Sequence, residues 1–208
     1  MRDARKIRRR LVKNGIPAQK GPGNILEFGC ANARVLRWFA DWAEHGEAWG
    51  VDIDSDLVLW CHQNLSPPFH FTVSTTQPSL FFEDRFFSLV FATSIFTHID
   101  DLYLSRICEL RRITKPGGFV FITIHDENTH NLQAEKNSDS FQTRTSHPAY
   151  QNFREEKADF CSCNRDLTSL VSFNRQYIIE HLSRLFDVVD IFDQVMAAQS
   201  GMLLRKKI

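Results

Sequence analysis

Residues 25–39 read ILEFGCANARVLRWF. Ile25–Phe28 is a short apolar run, the mark of a strand buried on both faces. Gly29 then allows a sharp turn, and Val35, Leu36, Phe39, Trp42 and Ala43 recur at helical spacing. A strand that passes through a glycine turn into a helix is how an α/β nucleotide site opens. A dinucleotide site needs Gly-x-Gly-x-x-Gly, because backbone N–H groups must approach a pyrophosphate closely. Here Gly29 is followed by Cys30, Ala31, Asn32 and Ala33. That argues against a nicotinamide or flavin cofactor and leaves room for one without phosphates.

The alternation continues outward from this stretch. Ala48–Val51 is a second strand, and Asp54, Ser55 and Asp56 form a capping cluster for a helix through Leu57, Val58, Cys61 and Leu65. Pro67 and Pro68 stop that helix. Residues 69–73 and 87–92 are further strands, and Asp100 and Asp101 open a helix with Tyr103, Ile107 and Leu110 on one face. Lys115–Gly118 reads as a turn before the nearly all-apolar strand 119–124. This rhythm predicts an α/β fold, an open, doubly wound, mainly parallel sheet with helices on both faces. Ligands of such sheets bind beyond the carboxyl ends of the strands. Those ends are Glu27, Asp52, Ser74, Thr93, Ser94, His125 and Asp126.

The rhythm breaks over residues 126–172, which are polar, weakly periodic and too long for an idle connection. It returns with a helix through Tyr177, Ile178, His181, Leu182 and Leu185, then strands at 186–192 and 201–206.

A chain of 208 residues suffices for one domain with a sizeable core and is short for two. We read residues 1–208 as a single domain. Basic and acidic side chains balance at 25 each, so no overall field recruits nucleic acid or a membrane surface. No apolar run approaches a membrane span, and nothing at the start reads as a signal peptide. Five cysteines, an odd number with three inside apolar elements, fit reduced thiols in a cytoplasmic protein. Residues 1–20 form a basic arm, with Arg2, Arg5, Lys6, Arg8, Arg9, Arg10, Lys13 and Lys20 against Asp3. The expectation is a solvated, partly frayed helix whose first ten residues the fold can spare. The alternative is an arm for nucleic acid or an acidic partner.

Asp52 ends the second strand 23 residues beyond Gly29, near the spacing used for ribose recognition. An ionised carboxylate can accept from both hydroxyls of a ribose.

Four segments now combine: ILEFGCANARVLRWF, WGVDIDSDLVLWCHQNL (49–65), FSLVFATSIFTHID (87–100) and ELRRITKPGGFVFITIHD (109–126). In order and spacing they resemble class I S-adenosylmethionine-dependent methyltransferases, and among these the small-molecule branch. AAQSGMLLRK (197–206) is similar to that branch's ending. The resemblance implies a Rossmann-like sheet of seven strands with a C-terminal antiparallel hairpin. It also implies S-adenosylmethionine as cofactor and a small-molecule methyl acceptor. By the resemblance, Glu27 stands where the family has Asp or Glu, and Gly29, Cys30 and Ala31 pass the cofactor's aminoacyl group. Asp52 binds the ribose, Ile53 packs on the adenine, Ser74 contacts the cofactor, and Thr93 and Ser94 lie near its methionine part. His98 and His125 match family histidines. The departures are Ala31 and Ala33 for glycines, Ser74 for Asn, Ser88 for Asp, Asp126 for Gly and Ser200 for Asp.

Methyl transfer is an in-line displacement in which positioning supplies much of the rate, and an oxygen nucleophile also needs a base. His98 and His125 are the candidates, although His98 could instead only orient its own turn. The 126–172 insertion is read as a lid, with His130, His147, Tyr150, Phe153, Arg154 and Arg165 as candidate substrate contacts. Cys161 and Cys163 match no ordinary zinc spacing, so no metal is expected. The expected function is methylation of a hydroxyl on a sugar or natural product. Two alternatives remain: a partner subunit that has lost cofactor binding, and an RNA methyltransferase that uses the basic arm. The second lacks a Pro-Pro-Tyr/Phe motif after strand four, where this chain has Ala92-Thr93-Ser94-Ile95.

Overall fold

The computed structural model describes all residues except 1, 101, 136–141, 143, 144, 157 and 164–168. Asp101 and Arg165 therefore lie outside the described residues. The chain begins with helix α1 (Arg2–Lys13), then β1 (Ile25–Phe28), a 3-10 turn (Leu36–Phe39) and the single-turn α2 (Ala40–Ala43). β2 (Ala48–Asp52), α3 (Ser55–Leu65), β3 (Phe69–Val73), β4 (Phe87–Ala92), α4 (Tyr103–Ile113) and β5 (Thr114–Ile124) follow. The insertion folds as α5 (Glu127–Glu135), α6 (Pro148–Glu156), β6 (Phe160–Cys163) and β7 (Leu170–Phe173). α7 (Arg175–Ser183), β8 (Phe186–Met196) and β9 (Gln199–Lys206) close the chain.

Seven strands form one sheet in the order β3-β2-β1-β4-β5-β9-β8. The first five are parallel, and β9 runs antiparallel to both β5 and β8. The chain steps outward from β1 to β3 and then returns to β4 on the other side of β1. The switch point therefore lies between β1 and β4, and their carboxyl ends flank the crevice where ligands of such sheets bind.

Each strand sends alternate side chains to opposite faces. Leu26, Val90, Val120 and Ile122 join one core with Ile107 and Leu110 of α4 and Ile178 and Leu182 of α7. Ile25, Leu89, Phe91 and Phe121 join the other, with Leu36, Phe39 and Trp42. The helices expected on both faces are there.

Several local expectations are corrected. The segment after β1 is a 3-10 turn and one α turn rather than a continuous helix. Lys115–Gly118 does not precede β5 but bulges within it, where the pairing jumps from Phe87↔Thr114 to Leu89↔Phe119. α4 starts at Tyr103 with Leu102 as N-cap and no side-chain cap. The polar insertion carries helices and its own two-stranded antiparallel sheet.

The basic arm is also corrected, because α1 is docked rather than solvated. Ala4, Ile7 and Leu11 recur at helical spacing and are buried in the second core. Arg8 pairs with Asp41 and lies 4.9 Å over the Trp42 ring, while Arg34 pairs with Asp3 at 2.8 Å. Burial of Ile7 and Leu11 stabilises by about 1.5–3 kcal/mol each, which the positive charge count conceals.

Candidate cofactor and active site

The loop after β1 is held by its backbone. Gly29 and Cys30 both donate N–H to the Val51 carbonyl, at 2.8 and 3.0 Å. Gly29 has φ +73°, and a Cβ there would meet Ile95 Cδ1 at 2.0 Å, so a side chain at this position would be strained and would displace Ile95. Ala31 and Ala33 have φ of +44° and +54°, the left-handed region that favours glycine. Each carries about 1–2 kcal/mol of strain, and the surroundings hold it. The Ala31 N–H donates to Asp52 Oδ2 at 2.6 Å, and its carbonyl accepts from the Cys61 and Cys30 thiols at 3.4 and 3.6 Å. Ala33 donates to the Cys30 carbonyl at 2.7 Å and buries its methyl completely.

Glu27 lies behind this loop, where its carboxyl accepts the Leu36 N–H at 2.8 Å. Burial pushes its pKa up to about 8, against smaller downward pulls from the Leu36 N–H and Arg34. Burial likewise pushes the Cys30 thiol up. Burial thus favours the neutral form of both groups behind the loop.

Asp52 faces forward. Its Oδ1 accepts the Asp54 N–H at 3.0 Å and its Oδ2 the Ala31 N–H. Each oxygen keeps a second lone pair for a hydroxyl donor. Helix α3 is capped instead by Asp54, which accepts from Asp56 and Leu57 N–H. Ser74 donates its N–H to the Asp52 carbonyl at 2.8 Å.

A cavity of about 310 Å³ opens here, at the switch point. Gly29, Asp52, Ile53, Ser74 and His98 are the expected site residues on its wall. Phe28, Thr76, Ile95, Ile99, Leu102 and Arg106 complete the lining without having been anticipated. Ile95, Ile99, Leu102 and Arg106 stand at intervals of 4, 3 and 4, a one-face spacing that could have singled them out. Arg106 is 5% exposed, donates to the Thr75 and Pro78 carbonyls at 2.9 and 3.1 Å, and lies 5.3 Å over the Phe28 ring. Burial lowers its pKa, yet a guanidinium stays charged in proteins.

The other expected residues are off this wall. Glu27, Cys30 and Ala31 support the loop, and Thr93 is buried. Ser94 has φ +59° and is tied to Thr123 Oγ1 at 2.7 Å and to Gln199 Oε1 at 3.1 Å. His125 is buried beneath β7, its carbonyl accepting the Phe173 N–H at 2.9 Å. His98 stands exposed at the cavity rim, with Nδ1 2.7 Å from the Ser169 carbonyl. Of the lid candidates, His130, Tyr150 and Phe153 are buried, with His130 edge-on to the Tyr150 ring. Among the described residues no group of three metal-ligating side chains converges, and no helix is long and apolar enough to cross a membrane.

Comparison with known proteins gives the same architecture. Residues 26–122 match the model of a methyltransferase domain. An S-adenosylmethionine-dependent methyltransferase from Methanosarcina mazei superposes with a TM-score of 0.68 at 16% identity, covering 95% of this chain and 97% of that one. One from Aquifex aeolicus gives 0.63 at 14% identity, with coverage of 98% and 89%. The 1,6-didemethyltoxoflavin-N1-methyltransferase of Burkholderia thailandensis, solved with its small-molecule substrate and S-adenosylhomocysteine, gives 0.66 at 14% identity, with coverage of 99% and 79%. The sheet order and the glycine turn at the switch point give this chain the fold of these S-adenosylmethionine-dependent methyltransferases, and its residues 26–122 resemble a methyltransferase domain.

Proposed function

We infer that this protein is a cytoplasmic S-adenosylmethionine-dependent methyltransferase that methylates a hydroxyl of a small molecule such as a sugar or a natural product, with His98 as the base. The observation that carries the reading is the contact between His98 and Ser169. A carbonyl only accepts hydrogen bonds, so the 2.7 Å contact puts the proton of the neutral ring on Nδ1. Nε2 then holds the free lone pair, as a general base requires. His98 lines the cavity that also presents Asp52 and Ile53.

The chain's residues fit the cofactor. Asp52 has one lone pair on each oxygen for the ribose hydroxyls, and Ile53, 53% exposed at the lip, offers apolar surface to an adenine. S-adenosylmethionine supplies an electrophilic methyl group. Ile95, Ile99 and Leu102 exclude water from the wall beside His98. His98 accepts the hydroxyl proton as the oxygen attacks, and its Nδ1–H keeps the ring aimed. His125, beneath β7, is assigned a supporting role.

The Burkholderia protein holds 1,6-didemethyltoxoflavin beside S-adenosylhomocysteine on this architecture. For this chain the test is transfer of a labelled methyl group to a panel of phenols, sugars, amines and RNA. The expected outcome is labelling of hydroxyl compounds that His98→Asn abolishes. Labelling of amines or RNA alone would overturn the assignment.

A further inference from the structure

A second cavity, of about 490 Å³, lies between α1 and the far end of β8, and Lys6, Arg9, Arg10 and Lys13 line it. These residues stand at i, i+3, i+4 and i+7, so all four cations share one face of the helix. The face contains four like-charge neighbour pairs: 6 with 9, 6 with 10, 9 with 13 and 10 with 13. Such pairs destabilise a helix rather than support it. Among the described residues none of the four has a carboxylate within salt-bridge distance. The contrast lies within the same helix, where Arg8 is ion-paired to Asp41 and Asp3 to Arg34.

The cations are held in place. Lys6 Nζ donates to the Gln194 carbonyl at 3.1 Å, and the Arg10 guanidinium lies 4.9 Å over the Phe192 ring. Asp193 also lines the cavity but is bonded to Arg175 at 2.7 Å, and Asp190 accepts from Asn14 at 3.1 Å near the lower end. Positive charge remains in excess. Phe192 and Val195 are buried at the floor, so no exposed ring is offered for a base to stack on. The concave shape and the span of about 10 Å from Lys6 to Lys13, at 1.5 Å per helical residue, suit a compact ligand with several phosphoryl groups.

We propose that the groove between α1 and β8 is a binding site for a compact polyphosphate, as in inorganic tripolyphosphate or a nucleoside triphosphate, separate from the methyl-transfer cavity. The lysines would act as point charges and the arginine forks as paired donors to phosphate oxygens. The site gives this enzyme a means to hold an anionic effector, or the phosphorylated tail of an acceptor, beside the sheet edge.

Calorimetric titration of the full-length protein with tripolyphosphate, ATP and a short single-stranded oligonucleotide tests this. The expected result is binding of tripolyphosphate and ATP that weakens as salt is raised. Arg9→Glu with Lys13→Glu should weaken it at least tenfold and leave S-adenosylhomocysteine affinity unchanged. Arg9 and Lys13 are exposed, so the pair of substitutions should spare the fold. Absence of tripolyphosphate binding, or binding that the double variant retains, would overturn the site. Tighter binding of the oligonucleotide than of tripolyphosphate would overturn the compact ligand in favour of a nucleic-acid backbone.

Discussion

His98 Nδ1 donates to the carbonyl oxygen of Ser169 at 2.7 Å, across a gap of 71 residues. Two residues on, Val171 donates its N–H to the Thr97 carbonyl at 2.8 Å. The insertion is thus joined to the turn after β4 at the candidate base and at the residue before it. Val171 is itself fully buried in the main core, so the segment read as a lid is anchored at this end and does not hinge freely.

The pairing makes a specific prediction for His98 variants. Asparagine places an amide N–H near the position of Nδ1 and keeps the Ser169 contact, whereas glutamine reaches toward the position of Nε2. Neither can accept the hydroxyl proton, so both should lower turnover by about 10²–10⁴ with cofactor affinity intact. Asn should leave the melting temperature closer to that of the wild type than Gln does. Turnover within a few-fold of wild type in both variants would leave positioning as the whole mechanism.

Ala31 and Ala33 allow a test of stored backbone strain. Glycine at 31 relieves a left-handed alanine, φ +44°, that buries no methyl. Ala31→Gly should raise stability by about 1 kcal/mol. At 33 the same relief is offset by loss of a fully buried methyl, worth about 0.8 kcal/mol, so Ala33→Gly should be near neutral. Urea unfolding of the two single variants separates the cases. A destabilised Ala31→Gly would mean that the loop is built around its alanine. The double variant should bind cofactor equally well or better.

Glu27 predicts a pH dependence of stability. Its folded pKa of about 8 lies above its ordinary 4.5. Below pH 4.5 both states hold the proton and the stabilisation is fully present. Between 4.5 and about 8 only the folded state holds it, so stability falls as pH rises and then levels off. Glu27→Gln keeps an acceptor for the Leu36 N–H and does not titrate. Its stability should vary less over this window, as read by denaturant midpoints at pH 5, 6.5 and 8. An unchanged profile would show that Glu27 ionises normally in the fold.

Deleting residues 2–13 should cost about 3–6 kcal/mol, from the burial of Ile7 and Leu11. Chemical denaturation of the shortened chain measures this, and an unchanged midpoint would return α1 to the solvated arm that its composition suggested.

The sequence made the sheet legible because its central strands are short apolar runs broken by Gly, Pro and Asp. Asp54 could be separated from Asp52 as the helix cap because cap chemistry is local. The sign of φ at Ala31 and Ala33 was not legible, because alanine does not announce a left-handed backbone. The spacing of Arg106 from Ile95, Ile99 and Leu102 was visible, but what holds its guanidinium was not, because its partners are the Thr75 and Pro78 carbonyls, which leave no trace in side-chain types. Two departures from the family pattern meet in the structure. Asp126 and Ser200 lie on adjoining strand ends, with Ser200 Oγ donating to Asp126 Oδ1 at 2.9 Å and Arg175 Nε donating to Oδ2 at 2.8 Å. In this chain the carboxylate of the pair sits at 126 rather than at 200 and bonds Arg175, a relation that only the pairing of β5 with β9 reveals.

Calorimetric titration of S-adenosylhomocysteine into the wild type and Asp52→Ala reads the ribose contact itself. The wild type should bind, and Asp52→Ala should bind about 1.5–3 kcal/mol more weakly, the range for losing charged hydrogen bonds. It should also release Ala31, whose N–H Asp52 holds at 2.6 Å. A folded wild-type protein that binds no S-adenosylhomocysteine, or a variant that binds it undiminished, would contradict the account.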